Sequence, residues 1–104
     1  MTPPEISAVI CTYNRADRLA LALDGLQTQT LSQARFEIVV IDNASTDDSL
    51  SVCATYGQRL PHLVYHYEPV QGLSTARNTG LRVAKGRYIA YLDDDAIPCA
   101  SWLE

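Results

Sequence analysis

The chain has 104 residues, enough for one small domain with a modest core. Hydrophobic residues make up 47% and charged residues 19%, which is the composition of an ordinary globular protein. The net charge of −4 and the lack of a basic run argue against a nucleic-acid-binding protein that tracks phosphates with a basic patch. Three scattered cysteines without a CxxC spacing predict neither a disulfide framework nor a zinc site.

The first residues carry neither the basic nor the apolar segment of a signal peptide. No apolar stretch of the sequence reaches membrane-spanning length. We therefore expect a cytoplasmic chain, with membrane association only through other parts of a longer protein.

Four short apolar runs predict strands, and helical patterns separate them. The first helix is expected to begin near Arg15, with Asn14 as its N-cap. Apolar residues at helical spacing then give this helix one buried face. The predicted strands are residues 6–12, 36–42, 63–67 and 88–92, and the predicted buried face is Leu19, Ala22, Leu23 and Leu26.

A second helix is expected after Ser45, with Asp47 and Asp48 in its first turn, where the helix dipole favours carboxylates. Gly57 is the expected C-terminal stop of this helix. The third helix is expected to run from Ser74 to Lys85. Its buried stripe consists of small residues, Ala76, Gly80 and Ala84.

Strands that alternate with helices indicate right-handed crossovers and a mainly parallel sheet, hence a three-layer, Rossmann-like α/β fold. The carboxyl ends of parallel strands lie along one edge of the sheet, and the loops that leave them build the site. Three of the predicted strands end in polar residues. These strand ends are residues 12–14, 42–45 and 93–95.

The last predicted strand ends in Asp93, Asp94 and Asp95. Side chains alternate along a strand, so Asp93 and Asp95 are expected on the same face. Two carboxylates in this arrangement offer hard oxygen donors to a divalent ion such as Mn²⁺ or Mg²⁺. A solvated acidic turn is the alternative interpretation.

Two further side chains are candidates for ligand contacts. Arg77, early in the third helix, has a guanidinium that can pair with phosphate oxygens, although a solvated surface arginine is the simpler interpretation. The start of that helix, after Gly72, favours anion binding. Asp42 can accept the N–H of a uracil or guanine base, or instead begin an Asx-turn.

Four ordered motifs in this strand–helix context resemble the N-terminal, nucleotide-binding half of a family 2 glycosyltransferase with the GT-A fold. A lone DxD is a weak signal, whereas four motifs in the right order are a strong one. Together they span almost the whole chain. The matching segments are residues 9–15, 37–47, 72–80 and 86–95.

The resemblance implies a nucleotide-diphosphate sugar as donor, with a UDP-sugar favoured, and an unknown acceptor. By the family pattern, Thr12, Tyr13 and Asn14 line the base and ribose. Asp42 contacts the base, and Arg77 lies near the phosphates.

For the metal, the family pattern implies Asp95 as a ligand and Asp93 near the ribose or the metal. The family reaction inverts the anomeric centre, with a carboxylate as general base beyond Glu104. We therefore expect this chain to be the donor-binding part of a longer domain and inactive alone. An exposed sheet edge is a candidate dimer contact.

Two other classes fit less well. A phosphotransferase of the haloacid-dehalogenase type has its acidic pair on the first strand, whereas the pair in this chain follows the last predicted strand. A receiver-like module needs its acidic pair after the first strand, where this chain has Thr12. A non-catalytic nucleotide-binding or scaffold module remains the main alternative.

Overall fold

Strands and helices alternate along the computed structural model, which describes residues 4–93 and 96–103. Within these residues a 3₁₀ turn at Gln33–Arg35 precedes the second strand. No helix in these two ranges is long and apolar enough to cross a bilayer. The elements are β1 (Ile6–Thr12), α1 (Ala16–Gln27), β2 (Phe36–Asp42), α2 (Ser49–Gly57), β3 (Leu63–Tyr67), α3 (Leu73–Val83) and β4 (Tyr88–Asp93).

The strands form one parallel sheet in the order β3-β2-β1-β4. Thr12 pairs with Asp42, and Asp42 pairs with Tyr67. On the other side of β1, Cys11 pairs with Asp93. The polar strand ends therefore share one edge of the sheet, as the sequence predicts.

Two hydrophobic clusters lie on opposite faces of this sheet. Helices α1 and α2 cover one face, where the predicted α1 stripe is fully buried against strand residues such as Ile10 and Val40. Helix α3 covers the other face, where Ala76 packs against Val9, Val39 and Ile41. Alternation along β1 and β2 sends successive side chains to different clusters. The predicted three-layer α/β architecture is confirmed.

The prediction that Asn14 caps α1 is wrong. The N-cap is Arg15, and Asn14 adopts a left-handed conformation with φ of 51°. The Asn14 Oδ1 instead accepts the Thr46 N–H at 2.7 Å. The Ala16 N–H, in the first turn of α1, donates to Asp47 Oδ2 at 3.0 Å. Asp47, in a neighbouring loop, thus accepts the N–H at the start of α1. The local sequence assigns this capping role to Asn14.

The prediction that Asp47 and Asp48 lie in the first turn of α2 is also wrong. Asp48 is the N-cap, and Asp47 Oδ1 accepts the Ser49 N–H at 3.1 Å and the Ser49 hydroxyl at 2.6 Å. Burial raises the pKa of Asp47, but hydrogen bonds from Ser49 and the Ala16 N–H outweigh it and lower that pKa overall. Asp47 therefore bridges the starts of α1 and α2.

Helix α3 ends earlier than predicted. Ala84 is already extended, and the third buried residue of the stripe is Thr79. A Cβ on Gly80 would lie 2.7 Å from Val9 Cγ1, so only glycine allows α3 to approach β1 this closely. The expected close packing of α3 is confirmed for Ala76 and Gly80, but Ala84 lies outside the helix.

Candidate functional site

A pocket of about 490 Å³ opens at the carboxyl edge of the sheet, between β1, β4 and the start of α3. Its walls come from the ends of three strands and from the segment that enters α3. The lining residues that matter below are Thr12, Tyr13, Arg15, Asn43, Gln71, Gly72, Arg77, Tyr91 and Asp93.

Strand alternation explains why this pocket lies on the α3 side of the sheet. Cys11 pairs with Asp93 and Val9 with Tyr91, so these four lining residues share one face. The Arg77 guanidinium lies over the Tyr91 ring, 5.9 Å from its centroid. This contact holds Arg77 against the pocket wall that also carries Asp93.

The described lining carries more positive than negative charge, although the chain as a whole is acidic. Arg15 and Arg77 contribute guanidinium groups, and Asp93 is the one carboxylate among the described lining residues. Thr12 is 2% exposed, and its hydroxyl oxygen has no hydrogen-bond partner among the described residues. A buried polar group without a partner is costly, which makes the Thr12 hydroxyl a candidate for a hydrogen bond to a ligand or water.

The start of α3 forms another part of the wall. Gly72 is the N-cap with φ of 137°, a conformation that favours glycine and leaves no side chain to cap the first turn. Uncapped N–H groups and the helix dipole make such a start suitable for an anion. Together with Arg77, this end of the pocket suits a phosphate-bearing ligand.

Asp42 is absent from the described pocket lining. Its Oδ1 accepts the Ser45 N–H at 3.0 Å, and its Oδ2 accepts the Tyr65 hydroxyl at 2.5 Å. Burial and this hydrogen bond raise the pKa of Tyr65. Burial, with a smaller contribution from Asp42, also raises the pKa of the nearby Cys53 thiol to about 12. These contacts match the Asx-turn interpretation, and a contact between Asp42 and a base stays a prediction.

The predicted site residues thus divide into three groups. Asn14 and Asp42 lie at the same sheet edge but outside the described lining, and Asp95 lies outside the described residues. The sequence analysis did not identify Arg15, Asn43, Gln71 or Tyr91 as site residues. Strand alternation could have identified Tyr91, because it lies two residues before Asp93 in β4 and therefore on the same face. The predicted residues that the pocket brings together are Thr12, Tyr13, Arg77 and Asp93.

A divalent metal is compatible with the described donors. No group of three or more histidine, cysteine or acidic side chains suited to a metal occurs in residues 4–93 and 96–103. Magnesium-like ions, however, often use one or two carboxylates together with water and substrate phosphates. Asp93, exposed at the end of β4 and lining the pocket, supplies one such carboxylate.

Comparison with known families identifies the chain. A sequence profile of glycosyl transferase family 2 matches residues 7–104, nearly the whole sequence. The chain belongs to glycosyl transferase family 2. Its sheet and flanking helices match the N-terminal portion of the GT-A fold found in enzymes of this family.

Curated proteins named as glycosyltransferases align with most of this chain. Glycosyltransferase AglE of Haloferax volcanii is 32% identical over 104 residues, which are 99% of this chain and 34% of AglE. The poly(ribitol-phosphate) beta-glucosyltransferase of Bacillus spizizenii is 36% identical over 93 residues, which are 88% of this chain and 15% of that protein. The chain therefore spans about a third or less of the length of these relatives.

Solved family 2 structures superpose closely on this chain. S. aureus TarS 1–349 in complex with UDP gives a TM-score of 0.89 at 28% identity, covering 95% of this chain and 30% of that one. The mannosyltransferase PcManGT of Pyrobaculum calidifontis, in complex with GDP-Man and Mn²⁺, gives 0.85 at 31% identity, covering 94% and 29%. Both are structures with a nucleotide or nucleotide sugar bound.

Proposed function

We propose that this chain binds the nucleotide-diphosphate sugar donor of an inverting family 2 glycosyltransferase. One juxtaposition carries the proposal: a single pocket combines Arg15, Arg77, the uncapped start of α3 and Thr12, whose hydroxyl has no hydrogen-bond partner among residues 4–93 and 96–103. Two guanidinium groups and a helix N-terminus suit a diphosphate, and a buried hydroxyl can accept or donate one bond to the nucleoside.

The proposed roles follow the pocket geometry. Thr12 and Tyr13 contact the base or ribose, and Arg77 pairs with the diphosphate. Asn14 acts through its bond to Thr46, by fixing the loop that follows Tyr13. A UDP-sugar is the favoured donor. The complexes of TarS with UDP and of PcManGT with GDP-Man support a donor that contains a nucleoside diphosphate.

A divalent metal is the proposed cofactor, held by Asp93 and Asp95 as a DxD motif. When bound, Mn²⁺ or Mg²⁺ supplies positive charge that stabilises the departing diphosphate. The structure of PcManGT in complex with GDP-Man and Mn²⁺ supports this assignment. Arg77 contributes a further, permanent positive charge at the phosphates.

In the proposed reaction an acceptor hydroxyl attacks the anomeric carbon from the face opposite the diphosphate. The bond from that carbon to the diphosphate oxygen breaks, so the anomeric configuration inverts. A carboxylate takes the hydroxyl proton. In this proposal the carboxylate lies beyond Glu104, and the 104-residue chain alone binds a donor without transferring the sugar.

Titration with UDP, in the presence of Mn²⁺ or of EDTA, tests the proposal. We expect affinity for UDP to fall when EDTA removes the metal, and Asp93→Asn to reduce the difference between the two conditions. Asp24→Asn is a matched control, since Asp24 lies on α1 outside the described pocket lining. If the unmodified chain binds UDP equally well with Mn²⁺ and with EDTA, the result would favour a metal-independent scaffold module. If it binds neither UDP nor GDP, the result would refute the proposal.

A further inference from the structure

Asn43 makes three hydrogen bonds to one short segment of the chain, residues 68–72. Its Nδ2 donates to the carbonyl oxygens of Glu68 at 3.2 Å and Val70 at 2.8 Å. Its Oδ1 accepts the Gly72 N–H at 3.0 Å. Asn43 is 7% exposed, so these bonds form largely away from water. One amide therefore spans the whole segment.

Glu68, the first residue of the same segment, also holds the segment in place through its side chain. Its carboxylate accepts the Thr79 hydroxyl, and its Oε2 accepts the Val70 N–H at 3.1 Å. The Arg82 guanidinium lies 4.0 Å from Oε1. Glu68 is 8% exposed, so a buried carboxylate links the segment to the middle of α3.

The position of the 68–72 segment decides where α3 begins. Gly72 is the N-cap of α3, and its carbonyl accepts the Ala76 N–H at 3.0 Å. Gln71, Gly72 and Asn43 all line the pocket. A movement of Gly72 would therefore move both the pocket wall and the first turn of the helix.

We propose that Asn43 is a positioning residue, which holds the 68–72 segment so that the start of α3 faces the diphosphate of the bound donor. This inference rests on the proposed function, because it assumes a nucleotide in the pocket. Asn43 acts through Gly72 and not by contact with the ligand. Loss of its amide frees the Gly72 N–H and two carbonyl groups, and the segment gains alternative conformations.

The test compares Asn43→Ala with Ser7→Ala in the same chain. Ser7 is also buried and bonded through its hydroxyl, to Glu37 Oε2 at 2.5 Å and from the Gly86 N–H at 2.7 Å, but it lies at the amino end of β1. Affinities for UDP with Mn²⁺ and for uridine are measured well below each unfolding temperature. Amide hydrogen exchange at Gly72 and Gly86 reports on the two segments.

For Asn43→Ala we expect about tenfold weaker UDP binding, a smaller change for uridine, and faster exchange at Gly72. Ser7→Ala should bind both ligands as the unmodified chain does and exchange faster at Gly86. Unchanged UDP affinity in Asn43→Ala would overturn the inference. Weaker binding with unchanged Gly72 exchange would do so too, because it would indicate direct contact with the ligand.

Failure of the proposed function has a different signature. An unmodified chain that binds neither UDP nor GDP would refute the donor site and the nucleotide role of Asn43 together. Equal losses of UDP affinity in the two variants would refute the positioning role alone, because the effect would then follow overall stability. The proposed function would survive that result.

Discussion

Buried glutamates form hydrogen bonds with the segments before and after α3, yet these two segments have different surroundings. Before the helix, Glu68 accepts the Thr79 hydroxyl and the Val70 N–H. After the helix, Glu37 accepts the Ser7 hydroxyl at 2.5 Å and the Lys85 N–H at 2.6 Å. Each carboxylate thus joins one hydroxyl and one backbone N–H. These two bonds are of the same kind at both ends, and Glu68 also has the Arg82 guanidinium 4.0 Å from its Oε1.

The two glutamates lie at opposite edges of the sheet. Glu68 follows β3 at the carboxyl edge and anchors the 68–72 segment that lines the pocket. Glu37 is in β2, paired with Ser7 at the amino edge, away from the pocket. The comparison indicates that one kind of hydrogen bond holds a wall of the candidate site at one edge and lies away from that site at the other.

The largest effect is expected from Gly80→Leu, which disturbs both ends of α3 at once. Its Cβ would lie 2.7 Å from Val9 Cγ1, so the helix must move away from the sheet. We expect unfolding in urea to require about 3 kcal/mol less free energy, near the upper end of the cost of overpacking. Gly57→Ala is the control, because its Cβ would meet Leu63 Cδ2 at an ordinary 3.9 Å. Equal stability of the two variants would contradict the close packing of α3.

Glu37→Ala and Glu68→Ala separate the two ends directly. Glu37→Ala leaves a buried hydroxyl and an N–H without their acceptor, which costs about 1–3 kcal/mol of stability but should leave UDP affinity unchanged. Glu68→Ala should lower stability and also weaken UDP binding roughly fivefold. Urea unfolding and UDP titration of each variant measure the two quantities. Equal losses of UDP affinity in the two variants would contradict the distinction between the amino and carboxyl edges of the sheet.

A smaller effect is expected from pH. The hydrogen bonds from the Thr79 hydroxyl and the Val70 N–H lower the pKa of Glu68 below its ordinary value of 4.5. A carboxyl with a lowered pKa stabilises the folded state above its unfolded pKa, and this contribution is lost as pH falls through the folded pKa. Asp47 and Glu5, whose pKa values are also lowered, act with the same sign.

The stability difference between the unmodified chain and Glu68→Ala should therefore be largest above pH 4.5 and shrink below it. Urea unfolding between neutral pH and about pH 3.5 measures this difference, since the window covers the ordinary range of carboxyl titration. A difference that stays constant through the acid range would show that Glu68 titrates in the folded state as it does in the unfolded chain.

The sequence predicts the sheet well because strand periodicity and polar strand ends are local signals. The edge rule that brings Thr12, Asp42 and Asp93 together needs only the order of strands and helices. Applied to the end of β3, the same rule would have selected Glu68 as well. The three-layer fold and the sheet edge that carries the candidate site are therefore accessible from the sequence.

Contacts between loops are not accessible in this way. Asp47 caps α1 from a segment 31 residues away, and no local pattern predicts that bond. Asn43 looks like an ordinary turn residue until the 68–72 segment is placed beside it. The bond from the Tyr65 hydroxyl to Asp42 Oδ2 likewise comes from a neighbouring strand, and no local pattern predicts it.

Two arginines whose guanidinium groups lie over tyrosine rings of β4 allow the most direct test of the pocket. Arg77 lies over Tyr91 in the pocket, whereas Arg87 lies over Tyr88, 5.6 Å from its centroid, at the amino end of β4. UDP and uridine are titrated against Arg77→Ala and Arg87→Ala. We expect Arg77→Ala to weaken UDP about tenfold more than uridine, and Arg87→Ala to change neither. Equal losses for UDP and uridine in Arg77→Ala, or the same UDP loss in Arg87→Ala, would contradict a diphosphate site at the start of α3.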